Sequence, residues 1–244
     1  MNTAAKVIQA AAPVAITPFK LTDKTGLVCV DPVNGFCTVG CGPLAPAVPN
    51  AQVDRMVDEM DRLAKRLIKQ GSPVQVFLDT HVPGRAEPPY PPHCEVGTGQ
   101  EEIVEALAWM HGNPNVEILK KDVINGVIGA IRRDGSNSFF DWIKKHQLDT
   151  VVFTGICTDI CVADAVLTML SARNHYHGDT PLLPSLRNIV VYEPGCSTYH
   201  LPADVVASIG LPETATHDQE LFHHMGLAIM ASRGAIIASE IIDG

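Results

Sequence analysis

Six short runs of β-branched and aliphatic residues recur down the chain: TGLVCVD at 25–31, PVQVFLD at 73–79, VEILKK at 116–121, TVVFTG at 150–155, NIVVYE at 188–193 and AIIAS at 235–239. Most are apolar at nearly every position. A strand that alternates apolar and polar residues has one wet face, whereas a continuously apolar strand must be covered on both. The segments between the runs supply the cover. AQVDRMVDEMDRLAKRLIKQ (51–70) sets Val53, Met56, Val57, Met60, Leu63, Ala64, Leu67 and Ile68 at helical spacing, and Gly71 ends it. Further helices are expected over 101–110 (EEIVEALAWM), 139–147, 159–175 and 219–234. The alternation predicts one doubly wound α/β domain: three α/β/α layers around a mostly parallel six-stranded sheet. No repeat or long linker divides the 244 residues, which suffice for a two-sided core. The expected boundaries are an N-terminal extension over 1–24 and the domain over 25–244.

Composition excludes several classes. A formal net charge of -9, without a basic stripe, argues against nucleic acid. No apolar run reaches the roughly 18 residues of a membrane helix, so no membrane partner is expected. The N-terminal stretch is broken by Gln9 and Pro13 and lacks arginine, unlike a secretory or transit signal. Seven cysteines at scattered spacings, with no C-x-x-C pair, do not form a disulfide framework. Reduced thiols suit the cytoplasm, with the nucleus as a second compartment.

Sheets of this kind bind ligands beyond the carboxyl ends of their strands. Asp31, Asp79, Lys121 and the Gly155–Cys161 turn all fall there. Each alone reads as a cap or a solvated surface group; their convergence on one sheet edge is the signal. Asp79 and His81 lie two apart at a strand end, able to point the same way. The loop after them carries Glu87 and, in PYPPHC, a proline-stiffened His93. Carboxylate and imidazole donors suit Zn²⁺, with Fe²⁺ or Mn²⁺ as alternatives. The competing reading is a surface loop whose histidines bind nothing.

GICTDIC (155–161) places two cysteines four apart. Thr158 or Asp159 can cap the following helix, which puts Cys161 in its first turn, where free N–H groups and the dipole favour a thiolate. Cys157 precedes the cap, where its backbone N–H is of more use than its sulfur. Amides of this turn could hold an oxyanion. A metal-binding pair or a redox disulfide is the alternative. His217, His223 and His224 are expected on a helix surface or at the core edge, not as ligands.

Together these segments resemble the isochorismatase-like cysteine hydrolases, and within them the nicotinamidase branch, from about Gly26 to the C-terminus. VDPVNGF is similar to the family's D-x-x-N-D-F opening, LDTH…PPHC to its metal segment, KKDVINGV to the segment bearing its lysine, and GICTDICV to its nucleophile turn. The details PYPPHC, INGV and SARNH look most like plant-type members.

The resemblance implies a Rossmann-like fold and a catalytic set of Asp31, Lys121 and Cys161. It also implies an oxyanion hole from the backbone of Cys157 and Cys161, with a cis Ile156–Cys157 bond. One divalent metal ion would sit on Asp79, His81 and His93, with Glu87 as a further candidate ligand. The implied reaction is hydrolysis of nicotinamide to nicotinate and ammonia, as in NAD salvage. Phe36 and Tyr90 would flank the ring, against ordinary packing as the bland reading of both. The implied partner is that small-molecule substrate, with homo-oligomerisation left open.

Four positions depart from the pattern. Glu87 stands where several bacterial members have a histidine, Asn125-Gly126 replaces a Ser-Ala pair, and Tyr90 replaces a frequent tryptophan. The alternatives are a related amidohydrolase acting on a carbamoyl or ureido substrate, isochorismate hydrolysis, or a catalytically silent metal-binding member.

Overall fold

The computed structural model describes residues 3–85, 87–208 and 210–244, with residues 3–6 by backbone alone. Apart from a short antiparallel pair, Tyr176–His177 with Thr180–Pro181, its strands are β1 (Ile16–Lys20), β2 (Thr25–Val30), β3 (Val74–Asp79), β4 (Val116–Lys121), β5 (Thr150–Ile156), β6 (Asn188–Ser197) and β7 (Ile236–Ile242). They form a single sheet in the order β1-β7-β6-β5-β2-β3-β4, and every pairing is parallel. The sheet thus has seven strands where six were expected. The added strand, β1, lies in the segment read as an N-terminal extension and pairs along β7. Its mostly exposed residues, with Pro18 in the middle, give no continuous apolar run, and Pro is at home on such an edge.

Alternate residues of the same strands feed two cores, as a doubly covered sheet requires. Val28, Val30, Phe77, Val151, Phe153 and Val191 pack with Phe139, Trp142, Val162, Val166, Leu227 and Met230 on one face. The last six come from helices α3 (Ser138–Lys145), α4 (Cys161–Asn174) and α5 (Gln219–Ser232), and a further helix, α1 (Thr3–Ala11), precedes β1. Leu27, Cys29, Val76, Leu78, Val152 and Val190 face the other way, against α2 (Ala51–Lys69) and its buried Val53, Met56, Met60, Leu63, Ala64 and Leu67. The Asn50 side chain caps α2 by accepting from the Gln52 and Val53 amides, and Gly71 follows with φ 85°.

One expected helix is largely absent. Of residues 101–110 only Glu105–Met110 turn, as a 3₁₀ helix. The residues before it are tied to the loop after β2 instead: Ile103 bridges Val33, and the Val104 amide donates to the Pro32 carbonyl. The Glu101 carboxylate accepts the Gly97 amide. These tertiary bonds outcompete a helix whose local propensity was only moderate.

The sheet reverses winding direction at the β2–β5 pair, so the crevice above their carboxyl ends is the natural ligand site. Gly155, in β5 just below that crevice, has φ 134°, and a Cβ there would collide with the Val30 carbonyl oxygen. Gly135 also has a positive φ, 84°, yet a Cβ would meet nothing there. Gly155→Ala is therefore expected to abolish soluble folded protein. Gly135→Ala should cost only about 1 kcal/mol. Thermal unfolding of the two variants beside wild type checks the contrast.

Candidate active site

Four strand ends converge. Asp31 follows β2, Asp79 ends β3, Lys121 ends β4 beside Asp79 in register, and Cys161 opens α4 after β5. Asp31 takes φ 52°, a left-handed conformation that Asp tolerates better than most residues. Its amide donates to the Phe77 carbonyl. The Lys121 ammonium lies 2.9 Å from Asp31 Oδ2 and 2.8 Å from Asp79 Oδ1. All three side chains are shut from solvent.

The contact to Asp31 is ionic and off-axis, so neither Asp31 oxygen has an aligned hydrogen-bond donor among the described residues. Burial pushes the Asp31 carboxyl up to about 7, against the pull of Lys121 and with the Asp79 charge adding to the rise. Burial acts on Asp79 in the same sense, yet Lys121, His81 and His93 together hold it below the usual carboxylate range. Lys121 itself stays charged: burial works against it, but Asp31, Cys161 and Asp79 raise it well above the ordinary lysine value.

Asp79 faces two ways. Its Oδ1 takes Lys121, while its Oδ2 lies 3.0 Å from His81 Nε2 and 3.1 Å from His93 Nε2. These three donors fall within 4.8 Å of one another, all on buried residues. His93 Nδ1 is 2.8 Å from the Pro91 carbonyl, a contact that engages Nδ1 as a donor and leaves Nε2 as the ring nitrogen facing Asp79. Glu87 Oε2 stands further off, 3.6 and 3.7 Å from the two Nε2 atoms. Its Oε1 accepts the Ile124 amide. One nitrogen from each histidine and one carboxylate oxygen, with Glu87 at the margin, is a donor set that fits a Zn²⁺-, Fe²⁺- or Mn²⁺-sized ion.

The expected helix cap differs from the one observed. The N-cap of α4 is Ile160, with no side-chain bond. Thr158 and Asp159 are engaged elsewhere: the Thr158 hydroxyl meets His223 Nδ1, and Asp159 bonds His217 and Thr198. Cys161 remains the first residue of the helix, as expected. Burial nevertheless drives its thiol well above the ordinary value, outweighing Lys121, so the helix end and the lysine do not produce a resting thiolate. The Ile156–Cys157 peptide is cis. Within the turn, the amides of Thr158, Ile160 and Val162 are spent on backbone carbonyls; those of Cys157 and Cys161 are not among the turn's backbone donors.

Above these groups opens a cavity of about 720 Å³, lined by Phe36, Tyr90, His93, Cys157 and Cys161 among others. Phe36 and Tyr90 both pack near the His93 ring, at 5.7 and 6.0 Å between centroids. The structure therefore brings the expected site residues to one place, with Asp31, Lys121 and His81 buried behind the cavity lining and linked to it through Asp79. It adds one that the sequence did not point to. Tyr199 lines the same cavity, stacked on His217, which is buried and lies just before α5. Neither residue carried a motif, and the contact spans a loop that only the fold closes.

Residues 25–210 match the Isochorismatase domain model. The chain is 46% identical over 216 residues to Nicotinamidase 1 of Arabidopsis thaliana, covering 88% of this chain and 86% of that protein. Among solved structures, the nicotinamidase of Bacillus subtilis superposes with a TM-score of 0.63 at 18% identity, over 88% of this chain and 99% of that one. The pyrazinamidase of Pyrococcus horikoshii in complex with zinc does so at 0.61 and 16%, over 91% and 99%. At such identities the structural likeness concerns the fold, but the domain match and the Arabidopsis relative cover most of the sequence. The chain belongs to the isochorismatase family.

Proposed function

We propose that the protein is a nicotinamidase, a cysteine amidohydrolase that converts nicotinamide to nicotinate and ammonia in NAD salvage. The observation that carries this is the buried cluster in which Lys121 joins Asp31 to Asp79 and Asp79 meets His81 and His93, with Cys161 lining the cavity beside it. An amide hydrolase needs a nucleophile and a proton carrier; a pyridine ring nitrogen beside them needs an electrophile to hold it. The 46% identity to an Arabidopsis nicotinamidase supports the same reading.

In this reading Cys161 attacks the carboxamide carbon. Its thiol is protonated at rest, so the proton must leave as the bond forms, and Asp31, with no aligned donor on its oxygens, is the acceptor. The amides of Cys157 and Cys161 take the oxyanion. Asp31 returns the proton to the departing ammonia, and water then cleaves the thioester by the reverse route. Lys121 keeps Asp31 oriented and steadies the charge that develops. Phe36 and Tyr90 are placed to flank the ring.

Asp79, His81 and His93 would hold the divalent ion, Zn²⁺ in the first instance, with Glu87 able to contribute through its free oxygen. When bound, the ion supplies a Lewis-acidic site for the pyridine nitrogen and orients the ring. It also answers a charge problem: fully ionised, Asp31 and Asp79 bury two negative charges against the single positive charge of Lys121. All seven cysteines are free, which suits a reducing compartment, and we place the enzyme in the cytoplasm.

Three measurements test these assignments. Ammonia release from nicotinamide should be present in wild type, lost in Cys161→Ala and largely kept in Cys157→Ala, whose contribution is a backbone amide; an active Cys161→Ala protein would refute the nucleophile. Metal analysis should find about one divalent ion per chain, and Asp79→Ala or His81→Ala should purify without it even when folded. The pH profile follows from Asp31, which must be ionised to accept the proton. Without a bound ion its ionised fraction falls as pH drops through about 7, and kcat/KM should decline about tenfold per unit on the acid limb. Because the Asp79 charge helps to raise Asp31, a bound cation should move that limb to lower pH than in metal-depleted enzyme.

A further inference from the structure

The nucleophile turn is gripped from outside the catalytic set. Asp159, between Cys157 and Cys161, accepts from His217 Nε2 at 2.9 Å and from the Thr198 hydroxyl at 2.6 Å. His217 is 3% exposed and has both ring nitrogens engaged, since Nδ1 meets the Tyr199 carbonyl at 2.9 Å. Its ring lies flat between Tyr199 and Phe222, with centroids at 3.8 and 3.9 Å and interplanar angles of 18° and 19°. Its backbone exchanges two hydrogen bonds with Leu201, closing a loop whose Leu211, Pro212 and Ala215 form the cavity wall with Tyr199. Helix α5 presses directly on the turn, because a Cβ at Gly226 would stand only 2.8 Å from the Asp159 Cα.

We propose that His217 is a positioning residue for the amidase reaction, holding the nucleophile turn through its bond to Asp159 and the Tyr199 wall through its stacked ring. The two contacts are chemically separable. The bond fixes a residue between the two amides assigned to the oxyanion, so it bears on the transition state and hence on kcat. The stack fixes a ring in the cavity wall, so it bears on how well substrate is held and hence on KM. The inference rests on the nicotinamidase reading.

His217→Phe keeps the flat ring and removes the bond; His217→Gln restores a donor near the Nε2 position and removes the ring. With nicotinamide as substrate, His217→Phe is expected to lower kcat about tenfold with KM nearly unchanged, the scale of one lost charge-assisted hydrogen bond. His217→Gln should raise KM several-fold and retain most of kcat. The double variant His217→Phe/Asp159→Asn should show no lower kcat than the worse single variant, because the two side chains act as one unit.

A merely structural role predicts otherwise: lower melting temperatures, with kcat per folded molecule and KM unmoved, or the same loss in both His217 variants. Either result, or losses that multiply in the double variant, would overturn the proposal. Should His217→Phe fail to fold, Asp159→Asn weakens the same contact from the other side and must reproduce the kcat loss for the proposal to stand. Wild-type protein inert on nicotinamide would overturn the functional reading and this inference with it, whereas an active wild type with additive variants overturns this inference alone.

Discussion

A single buried ammonium organises this molecule's working end. Lys121 reaches Asp31 on one side and Asp79 on the other, from the end of a strand whose register already sets it against Asp79. Removing water from three charges is costly unless each finds a partner, and the arrangement meets that condition only in part, with one positive charge for two negative ones. The imbalance has two consequences. It leaves Asp31 half willing to hold a proton near neutrality, and it leaves Asp79 an electron-rich corner on which two imidazole nitrogens converge. Proton transfer and cation affinity thus arise from one electrostatic arrangement.

The nucleophile fits the same logic. Cys161 stands at a helix start beside a lysine, which from chemistry alone suggests a stored thiolate. Burial decides against it. In the proposed mechanism a thiol kept neutral until a substrate carbonyl arrives is less exposed to adventitious alkylation or oxidation, and Asp31 takes its proton only during attack. The surrounding scaffold serves that geometry: Gly155 lets β5 pass the Val30 carbonyl just before the turn, and Gly226 lets α5 press on Asp159 from outside.

Much of this was legible in the sequence because the signals were local. Continuous apolar runs gave the parallel sheet and its two-sided cover, and residues just past those runs gave Asp31, Asp79, Lys121 and Cys161. What misled were places where tertiary bonds displaced local preference. Residues 101–104 carry a helical pattern but are drawn into bridges with the loop after β2. Ile16–Lys20 has too mixed a pattern to read as a strand, yet β7 offers it a pairing edge. Thr158 and Asp159 are good cap residues by type, but His223 and His217 claim their side chains.

By itself the sequence determined the layers, most of the element order and which polar side chains stand at the strand ends, because hydrophobic periodicity and strand-end placement are properties of neighbouring residues. Only the tertiary structure decided how those side chains are charged and who holds them. The elevated Asp31 carboxyl, the raised Cys161 thiol, the Lys121 contact of Asp79 and the His217 contact with Asp159 depend on burial and on contacts such as Asp79–Lys121, Asp159–His217 and Asp31–Lys121, whose partners lie 42, 58 and 90 positions apart. Desolvation and long-range contact have no signature in a local pattern; they exist once the strands lie side by side.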